Sequence, residues 1–146
     1  MFRTRQLCRR LVLGYFQSMI EKLHRFYNRA EAILDGKANG FGMPILLTLA
    51  HRRHGPAMLS LAARQTEGGK RGELGRFSNA NSPAGLMFRA FQQGEVNAAQ
   101  NLALTLFYLG DLAGYRHWLR KAARSGDEDA AKELSRFEVR QPWPLA

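Results

Sequence analysis

Two similar segments, thirty-two residues apart, constrain the fold of this chain more than any other feature. Residues 82–99 read SPAGLMFRAFQQGEVNAA, and residues 114–131 read GYRHWLRKAARSGDEDAA. Four positions are identical in the two segments: Ala90 with Ala122, Gly94 with Gly126, Ala98 with Ala130, and Ala99 with Ala131. Small residues recur where two helices must approach closely, and glycine recurs where a helix must end. The spacing therefore predicts helical hairpins that stack at a fixed period.

A fainter third copy, LLTLAHRRHGPAMLSLAA, covers residues 46–63, forty-one residues before the middle copy. Apolar residues align between these copies, among them Leu46 with Met87, Ala57 with Ala98, and Ala62 with Ala103. Arg53 stands where the other two copies have glycine, and Gly55 follows two positions later. We therefore expect a different turn at this point of the chain.

Helical periodicity runs through the whole chain, and no segment shows the alternation of a strand. Apolar residues at steps of three and four from Leu7 to Leu34 predict a long amphipathic helix whose apolar stripe faces a core. Proline, glycine and capping residues predict further helices over 44–54, 56–67, 82–93, 95–109 and 111–125, and a last one from 127. The sequence thus predicts an all-α protein, a short right-handed α-solenoid of about two and a half stacked helical hairpins with a long N-terminal capping helix. The expected domains are a basic amphipathic helix with a glycine-rich connector (1–42), the helical repeats (43–137) and an irregular tail (138–146).

The net charge of +10 is spread unevenly along the chain. Residues 1–89 hold fifteen Lys and Arg against five Asp and Glu, whereas residues 90–146 hold seven of each. All of the net charge therefore lies in the N-terminal part, which should attract an anionic partner.

Few residues suggest catalytic or metal chemistry. His51 and His54 share one helical face, but no cysteine or carboxylate at ligand spacing completes a metal site. Cys8 is the single cysteine, and the GGKRG stretch lacks the Ser or Thr of a phosphate loop. We therefore expect no metal, no cofactor and no enzymatic activity. No apolar run approaches the ~20 residues of a membrane span, and we expect a cytoplasmic protein.

The pattern A-x-x-x-L-A…G-D…Y-x-x-W-L-R-K-A-A-x-x-G-D-x-x-A resembles the Sel-one-like repeat, a relative of the tetratricopeptide repeat. The residues that carry the resemblance are Ala98, Leu102, Ala103, Tyr115, Trp118, Leu119, Lys121, Ala122, Ala123, Gly126 and Ala130. The chain departs from the family in one respect, because only LGDLAGY stands where the family has a longer glycine-containing loop. The resemblance implies a protein-binding scaffold without catalysis.

The leading functional hypothesis is an adaptor that binds a protein with an acidic surface through the concave face of the repeats. First helices of stacked hairpins usually line that face, and their exposed positions are Ser60, Arg64, Glu67, Asn97, Asn101, Thr105 and Tyr108. Tyr108 and Arg64 are the predicted hot spots, because large rigid or multi-donor side chains dominate such interfaces. In the same helix Phe107 and Leu109 are assigned to the buried stripe, and in the next one Arg116, Arg120 and Arg124 to a solvated face.

Two alternatives remain open. One is binding of RNA or DNA, for which the candidate contacts are Arg3, Arg5, Arg9, Arg10, Arg52, Arg53, Lys70, Arg71 and Arg76. The other is contact of the basic amphipathic helix over residues 3–34 with an anionic bilayer. For that helix we favour a core-facing position, because the repeats need an apolar lid.

Overall fold

A computed structural model describes the backbone of residues 2–67 and 74–140, and the side chains of residues 13–66 and 74–140. Within these ranges all regular structure is helical, which confirms the predicted all-α fold. The seven helices are α1 (Phe2–Leu34), α2 (Gly42–His51), α3 (Gly55–Glu67), α4 (Pro83–Gln92), α5 (Val96–Tyr108), α6 (Leu112–Arg124) and α7 (Glu128–Arg140). Helix α7 ends three residues later than the sequence predicts, so Glu138, Val139 and Arg140 are helical.

The chain forms two compact units, Met1–Leu49 and Ala50–Ala146. In the second unit, each helix from α3 to α7 packs against the next one along the chain. This sequential packing of neighbouring helices is the arrangement of stacked helical hairpins and confirms the predicted repeat architecture.

Most of the alanines that are identical in the repeat occupy buried positions, whereas Ala131 is exposed. Ala90 and Ala122 have no exposed surface, and the same is true of Ala98 and Ala130. In the faint third copy, the aligned residues Leu46 and Ala57 are also fully buried. Alanine at these positions lets neighbouring helix axes approach to the short end of the ~8–10 Å packing range.

Helices α4 and α6 end in the same way. Gly94 and Gly126 follow them in the left-handed conformation, with φ angles of 93° and 97°. The residue before each glycine donates its N–H to the carbonyl oxygen of Ala90 or Ala122 at 3.0 Å, and the residue after it donates to the same oxygen at 3.1 Å. These bonds satisfy carbonyl groups that would otherwise lack a partner at a helix end.

The third copy also has a left-handed residue at this position, but it is not a glycine. Arg53 adopts a φ of 60°, and its N–H donates to the carbonyl oxygen of Ala50 at 3.0 Å. The turn thus shares a left-handed residue with the other two copies and differs from them in residue type and in φ. The next residue, His54, accepts a hydrogen bond from the Ala57 N–H at Nδ1 (3.4 Å) and caps the start of α3.

Arg53→Gly is expected to raise the free energy of unfolding by about 0.5–1 kcal/mol, because a left-handed conformation costs any residue other than glycine about 1–2 kcal/mol. Urea unfolding followed by circular dichroism measures the change. Arg53→Ala is the matched control: it removes the same charge but keeps the left-handed strain, so it should bring no gain. A loss of stability in Arg53→Gly would contradict the assignment of this turn.

An aromatic cluster joins the loop before α4 to helices α4 and α6. The Trp118 ring lies 5.7 Å from Phe77, 6.0 Å from Phe88 and 5.8 Å from Phe91, measured between ring centroids. The Lys121 ammonium lies 4.4 Å from the Trp118 centroid, within the range of a cation–π contact. Trp118 is only 6% exposed, so the indole ring belongs to the core of the repeats.

Two arginines expected on the solvated face of α6 fold instead onto α7. Arg116 is buried, and its Nε donates to Glu138 Oε1 at 3.2 Å, while Arg120 Nη2 donates to the same oxygen at 2.5 Å. The carboxylate of Glu138 draws both guanidinium groups across the α6–α7 contact. The prediction of a solvated face is therefore wrong for Arg116 and Arg120, whereas Arg124 is exposed.

Glu138 makes the stability of this contact dependent on pH. The hydrogen bond from Arg120, and then that from Arg116, lower the pKa of Glu138 below its ordinary value of 4.5, against an opposing effect of desolvation. A carboxyl group with a lowered pKa stabilises the fold above its unfolded pKa, and this contribution is lost as pH falls through the folded pKa.

We therefore expect the melting temperature of Glu138→Gln to lie below that of the wild type near pH 7 and to converge with it towards about pH 3. Thermal melts over this pH range test the prediction. Glu133→Gln is the control, because Glu133 pairs with Arg136 on an exposed stretch of the same helix and such pairs contribute little. A difference for Glu138→Gln that stays constant with pH would contradict the linkage.

The prediction of a core-facing stripe is also wrong for the middle of α1. Six large apolar side chains there are between 40% and 73% exposed: Leu13, Tyr15, Phe16, Met19, Ile20 and Phe26. Further along the helix Ala30 is fully buried. There α1 meets the start of α2, since a Cβ at Gly42 would lie 2.6 Å from Leu34 Cγ and 2.7 Å from the Ala30 carbonyl oxygen.

Candidate partner-binding surface

The outward face of α5 carries three of the predicted contact residues in one row. Asn97, Asn101 and Tyr108 are exposed, and Tyr108 is the most exposed large side chain of α5, at 67%. Helical spacing also places Leu104 in this row, and its side chain is 42% exposed. We refer to Asn97, Asn101, Leu104 and Tyr108 as the α5 row.

Thr105 contributes less to this surface than the sequence predicts. It is half-buried, and its hydroxyl donates to the carbonyl oxygen of Asn101 within the same helix at 2.8 Å. Its donor is therefore already used, whereas the amide groups of Asn97 and Asn101 project from the exposed side of the helix.

A groove of about 460 Å³ begins beside the C-terminal end of the α5 row. It lies between the end of α5, the start of α6 and the length of α7, and its lining residues are Phe107, Leu112, Tyr115, Glu133, Arg136, Phe137 and Arg140. We call it the α5–α7 groove. Its volume falls in the range of pockets that hold small ligands or the side chains of a bound peptide.

Aromatic side chains form one wall of the groove and connect it to the α5 row. Tyr115 lies 5.1 Å from Phe107 and 5.0 Å from Phe137, and Phe107 lies 5.8 Å from Tyr108, measured between ring centroids. Phe107 is 46% exposed and Leu109 41%, so their assignment to the buried stripe is wrong. The exposed edge of Phe107 gives the groove an apolar surface that water contacts.

Charged groups from α7 form the opposite side of the groove. Arg136 pairs with Glu133 at 2.8 Å, and Arg140, one turn further along the helix, adds a second guanidinium group. Burial first, and the nearby Glu133 carboxylate second, raise the pKa of Tyr115 above its ordinary value of 10.0. The phenol therefore stays neutral at physiological pH, and two cations against one anion leave the groove mildly basic.

The described contact residues on α3 are less exposed than Asn97, Asn101 and Tyr108 on α5. Ser60 and Arg64 are half-buried, and the side chain of Glu67 lies outside the described residues. The start of α3 lies against the start of α5, because a Cβ at Gly55 would collide with the side chain of Glu95. The two helices are thus neighbours at this end, while the most accessible contact residues all belong to α5.

The candidate nucleic-acid contacts are only partly described. Arg52, Arg53 and Arg76 are exposed, and Arg53 also holds the strained turn after α2. The side chains of Arg3, Arg5, Arg9 and Arg10 lie outside the described residues, and so do Lys70 and Arg71 entirely. The hypothesis of nucleic-acid binding therefore remains a prediction from charge.

Two features of the described residues bear on other functions. Within residues 13–66 and 74–140, no group of three His, Cys, Asp or Glu side chains is placed to hold a metal ion. Among the helices of the described part, none has the length and apolarity needed to cross a membrane.

Comparison with known proteins gives partial matches. The Sel1-repeat-containing protein YjcO of Escherichia coli (strain K12) is 34% identical to this chain over 68 residues, which make up 47% of this chain and 30% of that protein. This weak similarity supports a divergent Sel1-like repeat. Proteins named YjcO in Escherichia coli O157:H7 and Shigella flexneri match with the same identity and coverage. The matched region thus spans 30% of the length of these relatives. No family model and no solved structure matches the chain.

The helical repeats of this chain have two kinds of connection between helices. Residues 68–82 separate α3 from α4, whereas only residues 109–111 separate α5 from α6. The short connection starts α6 immediately after Gly110, where the Asp111 side chain caps the helix by accepting a hydrogen bond from the Gly114 N–H at 2.8 Å. Tyr108 and Leu112 therefore lie close along the chain, which brings the α5 row to the mouth of the groove.

Proposed function

We propose that this protein is a non-catalytic scaffold that binds a protein partner through the α5 row and the α5–α7 groove. The observation that carries the proposal is the exposure of Leu104, Phe107 and Tyr108 side by side at the end of α5. Exposed aromatic groups beside an open groove are typical of interaction surfaces. The Sel1-like repeat supports the same class of function.

The groove favours a partner segment with one apolar and one acidic side chain. An apolar side chain would fit against Phe107, Tyr115 and Phe137, while a carboxylate would pair with Arg140 at the other side. The α5 row would then hold the neighbouring backbone through the amide groups of Asn97 and Asn101.

Tyr108→Ala is expected to weaken capture of the partner by about 1–3 kcal/mol without changing the fold, because the side chain is 67% exposed and aromatic anchors dominate interfaces. A pull-down with the full chain identifies the partner, and titration of the purified pair measures the dissociation constant. Phe41→Ala is the matched control, since Phe41 is an 84% exposed aromatic outside the proposed surface.

The same pull-down separates the protein-binding proposal from nucleic-acid binding. It is run at low and high salt, with and without nuclease. A protein retained under all four conditions and lost in Tyr108→Ala supports the scaffold. Retention of RNA or DNA alone, released by salt, would contradict it, because phosphate contacts weaken steeply as salt rises.

A further inference from the structure

Helix α1 presents an exposed apolar face that its sequence led us to expect in a core. Leu13, Phe16 and Ile20 follow one another at steps of three and four residues, and their side chains are 65%, 52% and 59% exposed. Tyr15, Met19 and Phe26 lie beside them on the same side of the helix and are 40% or more exposed. We call these six residues the α1 apolar face, and contiguous exposed apolar residues of this kind often mark an interaction surface.

Basic residues line one border of this face on the same helix. Lys22, Arg25 and Arg29 follow one another at steps of three and four residues, so they form a single row. Lys22 comes three residues after Met19 and four before Phe26, which places it at the border of the α1 apolar face. A lysine in that position buries its methylene chain along an apolar surface and keeps its ammonium group in water.

The charge of α1 indicates which kind of surface would bind the α1 apolar face. The helix contains seven Lys and Arg but only two Asp and Glu, and four of the arginines precede the first acid, Glu21. A second α1 packed against this face would bring two such cationic helices together, which like-charge repulsion opposes. An anionic lipid surface instead accepts the apolar side chains below its headgroups and attracts the basic ones.

We propose that α1 is an interfacial helix that binds anionic membranes, with Leu13, Phe16 and Ile20 inserted among the lipid chains and the Lys22–Arg29 row at the headgroups. The helix lies in the plane of the interface and does not cross the bilayer. Membrane binding by α1 does not use the α5 row. When α1 binds lipid and the α5 row binds a partner protein, the scaffold holds that partner at the membrane surface.

Flotation of the full chain with vesicles tests the proposal. We expect binding to vesicles of phosphatidylserine and phosphatidylcholine (about 3:7) to exceed binding to pure phosphatidylcholine at least about tenfold at low salt. The double variant Phe16→Gln/Ile20→Gln should lose at least about tenfold in binding to the anionic vesicles, because it removes two inserted apolar groups. Phe41→Gln, which changes an exposed aromatic outside α1, should bind like the wild type.

A second measurement does not depend on deleting side chains. An environment-sensitive fluorophore is attached at Phe16→Cys, or at Phe41→Cys as control, in a Cys8→Ser background. We expect anionic vesicles to shift the emission of the first label to the blue and to leave the second unchanged.

Three outcomes would overturn the proposal. One is the absence of binding to anionic vesicles, and another is binding that Phe16→Gln/Ile20→Gln leaves unchanged, which would show charge attraction without insertion. The third is a lipid-free dimer, detected by sedimentation, that the same double variant dissociates, because the α1 apolar face would then belong to a second copy. Tyr108→Ala should retain vesicle binding, so failure of the scaffold proposal and failure of this one are distinguishable.

Discussion

Trp118→Ala is expected to lower the free energy of unfolding by about 3–5 kcal/mol, the range observed when a large aromatic side chain is removed from a core. The ring is 6% exposed and lies against Phe77, Phe88 and Phe91. Its removal takes away the contact that joins α6 to α4 and to the loop before α4. Chemical unfolding followed by circular dichroism measures the loss.

The neighbouring position provides the control for this experiment. His117 precedes Trp118 on α6, is exposed and makes only an edge contact with the indole ring, at 5.8 Å between ring centroids. His117→Ala should therefore change the free energy of unfolding by less than about 0.5 kcal/mol. Equal losses in the two variants would show that the indole ring does not hold α4 and α6 together.

Replacing the repeat alanines with leucine should lower the free energy of unfolding at the buried positions and leave it nearly unchanged at the exposed one. Ala98 and Ala130 have no exposed surface, so Ala98→Leu and Ala130→Leu each force three extra carbon atoms into a packed contact. We expect each to lower the free energy of unfolding by about 1–3 kcal/mol. Ala99→Leu should cost a similar amount, because Ala99 is also fully buried.

Ala131 is the matched control in this series. It aligns with Ala99 in the repeat but is exposed, since it lies on α7, the last described helix. Ala131→Leu should change the free energy of unfolding by less than about 0.5 kcal/mol. If Ala130→Leu were as harmless as Ala131→Leu, then α7 would not pack on α6 in the way that α5 packs on α4.

The sequence predicts the helical stack well because its signals are local and repeated. Glycine and alanine have few alternatives where a helix must stop or two helices must touch, and Gly94, Gly126, Ala98 and Ala130 all occupy the predicted roles. Helix bounds agree within a few residues for the same reason. The left-handed conformation of Arg53 is not predictable in this way, because sequence does not reveal a strained conformation that the surrounding packing imposes.

The errors concern which side of a helix meets a neighbour. Phe107 and Leu109 belong to the apolar stripe of α5 by type, but both are exposed, and Phe107 lines the groove beside α7. Arg116 was assigned to solvent by charge, and Glu138 on another helix draws it into a buried position. Contacts between residues far apart in sequence decide both cases, and periodicity within one helix contains no information about them.

The candidate site was predicted in part. Asn97, Asn101 and Tyr108 are exposed on one face of α5, as the repeat pattern indicates. Leu104 and Phe107 were missed because an apolar residue at helical spacing is normally assigned to the core. The α1 apolar face was misassigned for the same reason. One signal could have revealed the exposed apolar residues of α5 and of α1. A short repeat offers fewer buried positions than this chain has apolar residues.

Site-specific photo-crosslinking at Tyr108 tests the central claim most directly. A photoreactive phenylalanine analogue replaces Tyr108 in one version of the full chain and Phe41 in another, and both aromatic positions are exposed. The account predicts that the captured partner crosslinks to position 108 and not to position 41. Crosslinking at position 41 alone, or equally at both positions, would contradict binding through the α5 row.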